Sequence, residues 1–372
     1  EVTSQVTFRD FFQFPQTLKN DAKDEPADEP VITGDVPIEE PQIQKMKLRK
    51  ITDKKVAGYT IFQKEVTPAI YEDTIELIKG KKTVVKKLIT PAVYQTGVKF
   101  TEKATGHVFE TLIDGGDLTE TSLTTIPQIY DAMYLKENSV VYRYLDEQNK
   151  ITTYLGDIIK DEANSTEEQT FNKITGVFLP EEIKTFAINP DQTRLFYIYP
   201  VQSGVVGINQ DKATGKKNQI FSSLFHEWRV AWPSEKTITL TTLPSARVFG
   251  YMYAIDSTTG EMRKIIGKIL GLTALMSPDA KTILLESSTE GNINTSFYNV
   301  LTKESVRSPV NTFPEKCIWN NVGTDVFCTV PSQIYNADYP DSWYQGLVSF
   351  NDNLWKINKD GTGELLLSSQ EM

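Results

Sequence analysis

Side chains suited to proton transfer or metal binding are scarce in this chain. It has two histidines, His107 and His226, and two cysteines, Cys317 and Cys328. A zinc site needs three or four such ligands at short, characteristic spacings, and these four are too dispersed to match one. No HExxH, GxSxG, phosphate-binding loop or dinucleotide-binding glycine pattern occurs. A Ser-His-Asp centre would have to use one of the two histidines, and nothing around them marks a nucleophile. The sequence therefore points away from catalysis, and no catalytic residue, cofactor or metal ion is expected. One enzymatic alternative stays open. Carboxylate pairs that hydrolyse polysaccharides converge in space without leaving a sequence motif.

Residues suited to binding are easier to find. Tyr335, Tyr339, Asp341, Trp343 and Tyr344 fall within ten residues and could stack on sugar rings or anchor a peptide. The other reading of this loop is that its aromatics fold down as packing. His226, Glu227 and Trp228 form a second cluster, in which the histidine is a titratable group and the tryptophan either a contact or a structural piece. Phe8, Phe11, Phe12 and Phe14 place four aromatic rings in seven residues. That peptide is too short to span a membrane and long enough to dock in an apolar groove, on a partner or on its own chain. Cys317 and Cys328 are eleven residues apart. They are read as cross-strand neighbours able to form a disulfide, or else as two buried thiols.

The elements that must position these groups repeat. Phe186-Ala-Ile-Asn-Pro-Asp-Gln-Thr-Arg-Leu-Phe-Tyr-Ile and Ala274-Leu-Met-Ser-Pro-Asp-Ala-Lys-Thr-Ile-Leu-Leu-Glu share one pattern. Each is a short apolar strand, a Ser/Asn-Pro-Asp turn and a second strand of β-branched or aromatic residues. Proline presets φ for the turn, and the flanking Asn, Ser and Asp side chains accept bonds from nearby N–H groups. Weaker copies begin at Leu48, Ala132, Val230 and Cys317. Their turns start at Ile51, Leu135, Asn189, Pro233, Ser277 and Asn320, at spacings of 84, 54, 44, 44 and 43 residues. A second hairpin follows most copies, marked by Lys103-Ala-Thr-Gly, Lys212-Ala-Thr-Gly, Ser257-Thr-Thr-Gly and Lys359-Asp-Gly-Thr-Gly. Four strands per repeat of about 44 residues define a blade. The fold class is all-β, a single β-propeller of six four-stranded blades with an extended N-terminal segment. The spacing of 84 leaves room for a seventh blade, although residues 64–92 read better as an insertion.

These hairpins, from Asn189-Pro-Asp-Gln-Thr and Ser277-Pro-Asp-Ala-Lys, resemble the repeats of TolB-like and WD-type β-propellers over residues 46–370. The strings Phe221-Ser-Ser-Leu-Phe-His-Glu-Trp and Tyr339-Pro-Asp-Ser-Trp-Tyr-Gln-Gly resemble exported propeller proteins of candidate-phyla bacteria, a group without known function. The resemblance implies a fold and no activity. The glycine usual after Pro-Asp is replaced by Gln192 and Ala280.

The organisation expected is a Phe-rich segment at 1–19, an acidic linker with several prolines at 20–45 and the propeller at 46–372. Residues 20–41 hold eight carboxylates against the single Lys23, so most of the formal charge of −10 lies there. Such a stretch buries too little apolar surface to offset its ordering entropy. No basic stripe exists to displace counterions from a phosphate backbone, so nucleic acid is not an expected partner. No apolar run reaches 18 residues, so no membrane span is expected. The first residue is Glu1, which fits either a removed signal or anchor segment or a shortened chain. A disulfide would place the protein outside the cytoplasm, as a secreted, periplasmic or cell-surface protein.

In a blade, the a–b and c–d turns emerge at one end, and the b–c and d–a connections at the other. The long segments 63–94, 160–183, 243–249 and 331–345 are expected at the second end, where loops on a rigid scaffold carry binding residues. The function expected is a non-catalytic, exported propeller binding a protein or glycan there. The alternatives are a polysaccharide-directed hydrolase using carboxylates near the channel mouth, and a surface assembly subunit using its Phe-rich peptide.

Overall fold

A computed structural model describes residues 48–78, 81–136, 138–164, 171–289 and 291–370. The Phe-rich peptide, with Phe8, Phe11, Phe12 and Phe14, and the acidic segment 20–45 lie outside the described residues. The repeat pattern becomes six antiparallel four-stranded sheets, the blades of a β-propeller. Blade 1 is Val56–Thr67, Val93–Glu102, Val108–Leu112 and Thr119–Glu120. Blade 2 is Asp131–Leu135, Ser139–Leu145, Ile151–Lys160 and Asn172–Phe178. Blade 3 is Thr185–Ile188, Arg194–Val201, Gly204–Asp211 and Lys217–Ser223. Blade 4 is Trp228–Ser234, Thr237–Thr242, Phe249–Asp256 and Met262–Leu270. Blade 5 is Thr273–Met276, Thr282–Thr289, Asn292–Asn299 and Ser305–Arg307. Blade 6 is Cys317–Trp319, Asp325–Pro331, Asp352–Asn358 and Gly363–Leu367.

The Pro-Asp turns work as their residue types require. The Asn189 side-chain oxygen accepts from the N–H groups of Thr193 and Arg194 at 2.9 and 2.7 Å. In blade 5 the Ser277 hydroxyl oxygen accepts the Thr282 N–H at 3.0 Å and the hydroxyl donates to Asp279 at 2.6 Å. Each turn closes on a residue with positive φ, +57° at Gln192, +57° at Ala280 and +71° at Gly323. Only the last is the glycine this conformation favours. At the same end, strands c of blades 3 and 4 close on Asp211 and Asp256, whose carboxylates accept backbone N–H bonds from their turns. Those bonds hold both carboxyl groups below their ordinary pKa.

Blade 1 departs from the expected pattern. Leu48 to Lys55 form no strand, and Leu48 and Ile51 are exposed. Five of these eight residues are charged, and the stretch lacks the period-two apolar pattern of a half-buried strand. The Lys103 N–H bonds to the Lys55 carbonyl at 2.7 Å and the Gly106 N–H to that of Glu102 at 2.9 Å. Blade 3 makes the same two bonds from Lys212 to Thr193 and from Gly215 to Asp211, at the turn between its strands c and d. The first three strands of blade 1 therefore stand in the places of b, c and d, and Thr119–Glu120 is added beyond d. Residues 68–92 are an insertion and not a seventh blade. They form a lone hairpin of Ile70–Ile78 and Lys81–Thr90.

The long segments divide between the two ends. Residues 63–94, by the hydrogen bonding of blade 1, 243–249 in blade 4 and 331–345 in blade 6 are b–c connections. Within 160–183, residues 161–171 join strands c and d of blade 2 and so emerge at the other end. That strand pair extends past the point where other blades turn.

The chain divides into two compact units, one of Arg49–Pro244 with Val248–Ile269, the other holding Ser245–Arg247 and Leu270 onward. In the first, the core lies between blades. Phe196, Ile198 and Phe221 of blade 3 pack with Trp232, Ile238, Leu240 and Ile255 of blade 4. Val108 of blade 1 packs with Ala132, Tyr134 and Tyr142 of blade 2. In the second unit, Leu284 and Phe297 of blade 5 pack with Trp319, Val326 and Ile357 of blade 6. Central strands bury both faces, so Leu195-Phe-Tyr-Ile and Ile283-Leu-Leu are continuous apolar runs.

Candidate functional site

In the first unit, His226, Glu227 and Trp228 follow strand d of blade 3 and open strand a of blade 4. His226 is exposed and has no side-chain partner among the described residues. Glu227 accepts an ion-pair bond from Lys184 at 3.2 Å. Trp228 donates its indole N–H to the Phe225 carbonyl at 2.8 Å and meets Phe221, Phe225 and Tyr253 edge-on. Its ring fixes the connection in place. Beside it Leu224 is 83% exposed, with Phe225 and Leu243 also open to solvent. The Leu243 N–H bonds to the Glu227 carbonyl, which ties the b–c loop of blade 4 to this connection. Phe178, Val201 and Val248 add exposed apolar side chains at the same ends of blades 2, 3 and 4.

His107 is held by Glu120 through Nδ1 and by the Thr125 hydroxyl through Nε2 at 2.8 Å. The inserted hairpin carries another apolar surface, with Tyr71 opposite Leu88 and Ile75 opposite Val84, all exposed. At its root is a cleft of about 530 Å³ lined by Glu65, Pro68, Tyr71, Leu88, Pro91 and Tyr94.

In the second unit, the Tyr335–Tyr344 loop folds inward over part of its length. Tyr339 is fully buried, and its hydroxyl donates to the Tyr335 carbonyl at 2.7 Å. Trp343 lies on the ring of Phe313. The Asp341 carboxylate accepts from the Ala246 N–H at 2.6 Å and the Ser245 hydroxyl at 3.2 Å, so it anchors a neighbouring loop. Tyr344 donates to Glu315, and the Tyr335 side chain is exposed. Of the two readings of this aromatic cluster, Tyr339 and Trp343 follow the packing one and serve the core of their unit. Cys317 and Cys328 face each other across strands a and b of blade 6 and are joined as a disulfide.

A second cleft in this unit, of about 330 Å³, is lined by Thr289, Asn292, Asn294, Arg307, Asn311 and Ile334. Apart from Ile334, in the 331–345 connection, none of its lining was expected from the sequence. The signal available there was a strand segment with four polar residues in five, Asn292-Ile-Asn-Thr-Ser. Neither cleft is lined by two carboxylates. The buried acid of the second unit, Glu286, takes hydrogen bonds from the hydroxyls of Ser288 and Thr273 at 2.7 and 3.1 Å. Burial pushes its pKa up to about 8. Its side chain is closed off from solvent. Among the described residues, no three His, Cys, Asp or Glu side chains group closely enough to hold a metal ion, and no helix is long and apolar enough to cross a membrane.

No protein-family model matches the chain, and no curated protein matches it in sequence. Solved structures with similar folds include TolB from Acinetobacter baumannii, at 13% identity and a TM-score of 0.43, covering 70% of this chain and 59% of that one. An oligogalacturonate lyase in complex with manganese is 14% identical with a TM-score of 0.49, over 82% of this chain and 85% of that one. A puromycin-hydrolysing peptidase of Mycobacterium tuberculosis is 11% identical with a TM-score of 0.45, over 74% of this chain and 44% of that one. The six-bladed fold of this chain rests on its own strand order, and the likeness to TolB-like propellers is one of fold. Lyase and hydrolase activities belong to those proteins.

Proposed function

We propose that this chain is a non-catalytic binding module of the extracytoplasmic space that holds a protein partner against the b–c and d–a connections of blades 2 to 4. The observation that carries this reading is the exposed apolar set there: Phe178, Val201, Leu224, Phe225, Leu243 and Val248. Single exposed apolar residues are ordinary, whereas a set gathered at one end of adjacent blades marks an interaction surface. The loops are also held firmly, by the Trp228–Phe225 and Leu243–Glu227 hydrogen bonds, which lowers the ordering cost of binding. The disulfide supports the compartment, because such bonds persist where thiols are not kept reduced. The acidic composition of residues 20–45 suits a tether between the propeller and the Phe-rich segment.

The test compares the wild-type protein with a Leu224→Ser, Phe225→Ser, Val248→Ser variant by quantitative affinity capture from the exported fraction of the source cells. The expected result is one protein enriched by wild type and lost with the variant at unchanged melting temperature. Recovery of the same proteins by both would overturn the reading.

A further inference from the structure

The repeat sets which residues of strand c share one face toward the b–c end of each blade. In blade 3, where Asp211 pairs with Arg194, the column running back from the c–d turn is Ile208, Val206 and Gly204. In blade 4, where Asp256 pairs with Thr237, the same column is Tyr253, Tyr251 and Phe249. In blade 5, Asn299 pairs with Thr282, and the column is Ser296, Asn294 and Asn292. Apolar or aromatic side chains have given way to a hydroxyl and two carboxamides. Arg307, on strand d, stands directly opposite Ser296 and so joins the same face. Among the described residues its guanidinium has no hydrogen-bond or ion-pair partner, and neither does the Asn294 carboxamide. Asn311 uses its oxygen on the Thr295 N–H, which leaves its amide N–H groups for another acceptor. Thr289 and Ile334 close the cleft.

The geometry points to a site for an extended peptide that carries a carboxylate, read by Arg307 and Asn294, with Asn292 two residues along the same column. Residues two apart on a strand are separated by about 6.6 Å, the same repeat as alternate amides of an extended peptide. Carboxamides both donate and accept, and so match peptide groups along that line. A guanidinium is the side chain that holds a carboxylate with two parallel bonds. The cleft lining contains no aromatic ring to stack on a sugar, which favours a peptide over a saccharide. The carboxylate is either the peptide's C-terminus or an Asp or Glu side chain. This site is independent of the apolar surface on blades 2 to 4.

The test is selection from a random dodecapeptide library on the full chain, followed by fluorescence polarisation with the selected peptides. Each peptide is measured as free acid, as C-terminal amide, and with each Asp or Glu replaced by its amide. The expected result is that removing one carboxylate weakens binding by about tenfold or more, as loss of a charge-assisted pair does. Arg307→Ala should weaken it equally, and the two changes together should cost no more than either alone. Asn294→Leu, which restores the apolar column, should abolish binding at unchanged melting temperature. Retention of affinity by Arg307→Ala overturns the assignment. So does a hyaluronan hexasaccharide that binds in an Arg307-dependent way when no peptide does. The Leu224, Phe225 and Val248 variant should bind the peptides normally, which separates failure of this site from failure of the partner surface.

Discussion

Phe313 and Trp343 stack face to face, with ring centroids 4.5 Å apart and planes inclined by 12°. Tyr339 and Phe350 pack around the same Phe313 ring at 5.7 and 6.1 Å. The long b–c connection of blade 6 is thus held by an aromatic cluster of its own. Trp343→Ala should destabilise the protein by about 2–4 kcal/mol, somewhat less than the roughly 3–5 kcal/mol of a fully buried ring because Trp343 is half-buried. Tyr335→Ala, at an exposed ring, should change stability by less than about 0.5 kcal/mol. Chemical denaturation of the two variants checks the contrast.

Glu286 gives the protein a pH dependence with a definite sign. Its folded-state pKa of about 8 lies above the ordinary carboxylate value of 4.5, because burial penalises the charged form. Below pH 4.5 the group is protonated in both states and costs nothing. Between pH 4.5 and 8 the unfolded chain releases the proton while the folded one keeps it, so stability falls as pH rises. Glu286→Gln removes that loss while keeping groups that can bond to Thr273 and Ser288. It should raise stability by roughly 2–4 kcal/mol at pH 8 and leave it unchanged at pH 4.5, measured by thermal unfolding at both.

The Pro-Asp turns offer a paired test. Gly323→Ala places a Cβ at φ +71° and 3.2 Å from an Asp279 carboxylate oxygen, and should cost about 1–2 kcal/mol. Ala280→Gly, at φ +57°, relieves the same backbone penalty at some cost in chain entropy, and should stabilise by about 0.5 kcal/mol. Gln192→Gly should gain less, because it also removes the side-chain oxygen that accepts the Lys136 N–H at 2.6 Å.

Alkylation before reduction should leave Cys317 and Cys328 unmodified by mass spectrometry, even in the unfolded protein. Reduction should then lower stability by about 2–3 kcal/mol, the effect of opening a short covalent loop. Labelling of both thiols before reduction would remove the main support for an extracytoplasmic location.

The parts of the fold legible in the sequence were those where local chemistry and tertiary structure demand the same residues. Asn189, Ser277 and Asn320 each start a turn that their own side chains cap, so the a–b connections of blades 3, 5 and 6 stood out. Blade 1 did not follow because Leu48 to Lys55 carry the turn-like composition but form no strand of their own. Residues 161–171 misled for a different reason. Length shows that a connection is long and does not show at which end of a blade it emerges. The aromatic cluster at 335–344 was visible, but composition cannot say which rings face inward, and Phe313, which recruits Trp343, is thirty residues away. Arg307 and Asn294 were hidden because their meaning depends on register. Only once Asn299 is aligned with Asp211 and Asp256 does a polar column stand where the repeat places apolar ones.

The inserted hairpin leaves blade 1 at Thr67 and returns at Val93, and these two residues are partners across the sheet. A segment whose ends already lie side by side can be exchanged for another with the same end spacing. The registers Ile61–Val98 and Phe62–Gly97 lie beyond that junction and are set independently of it. Residues 68–92 are accordingly a splice point, where a fluorescent or sensor domain can be grafted into the propeller without moving its strands.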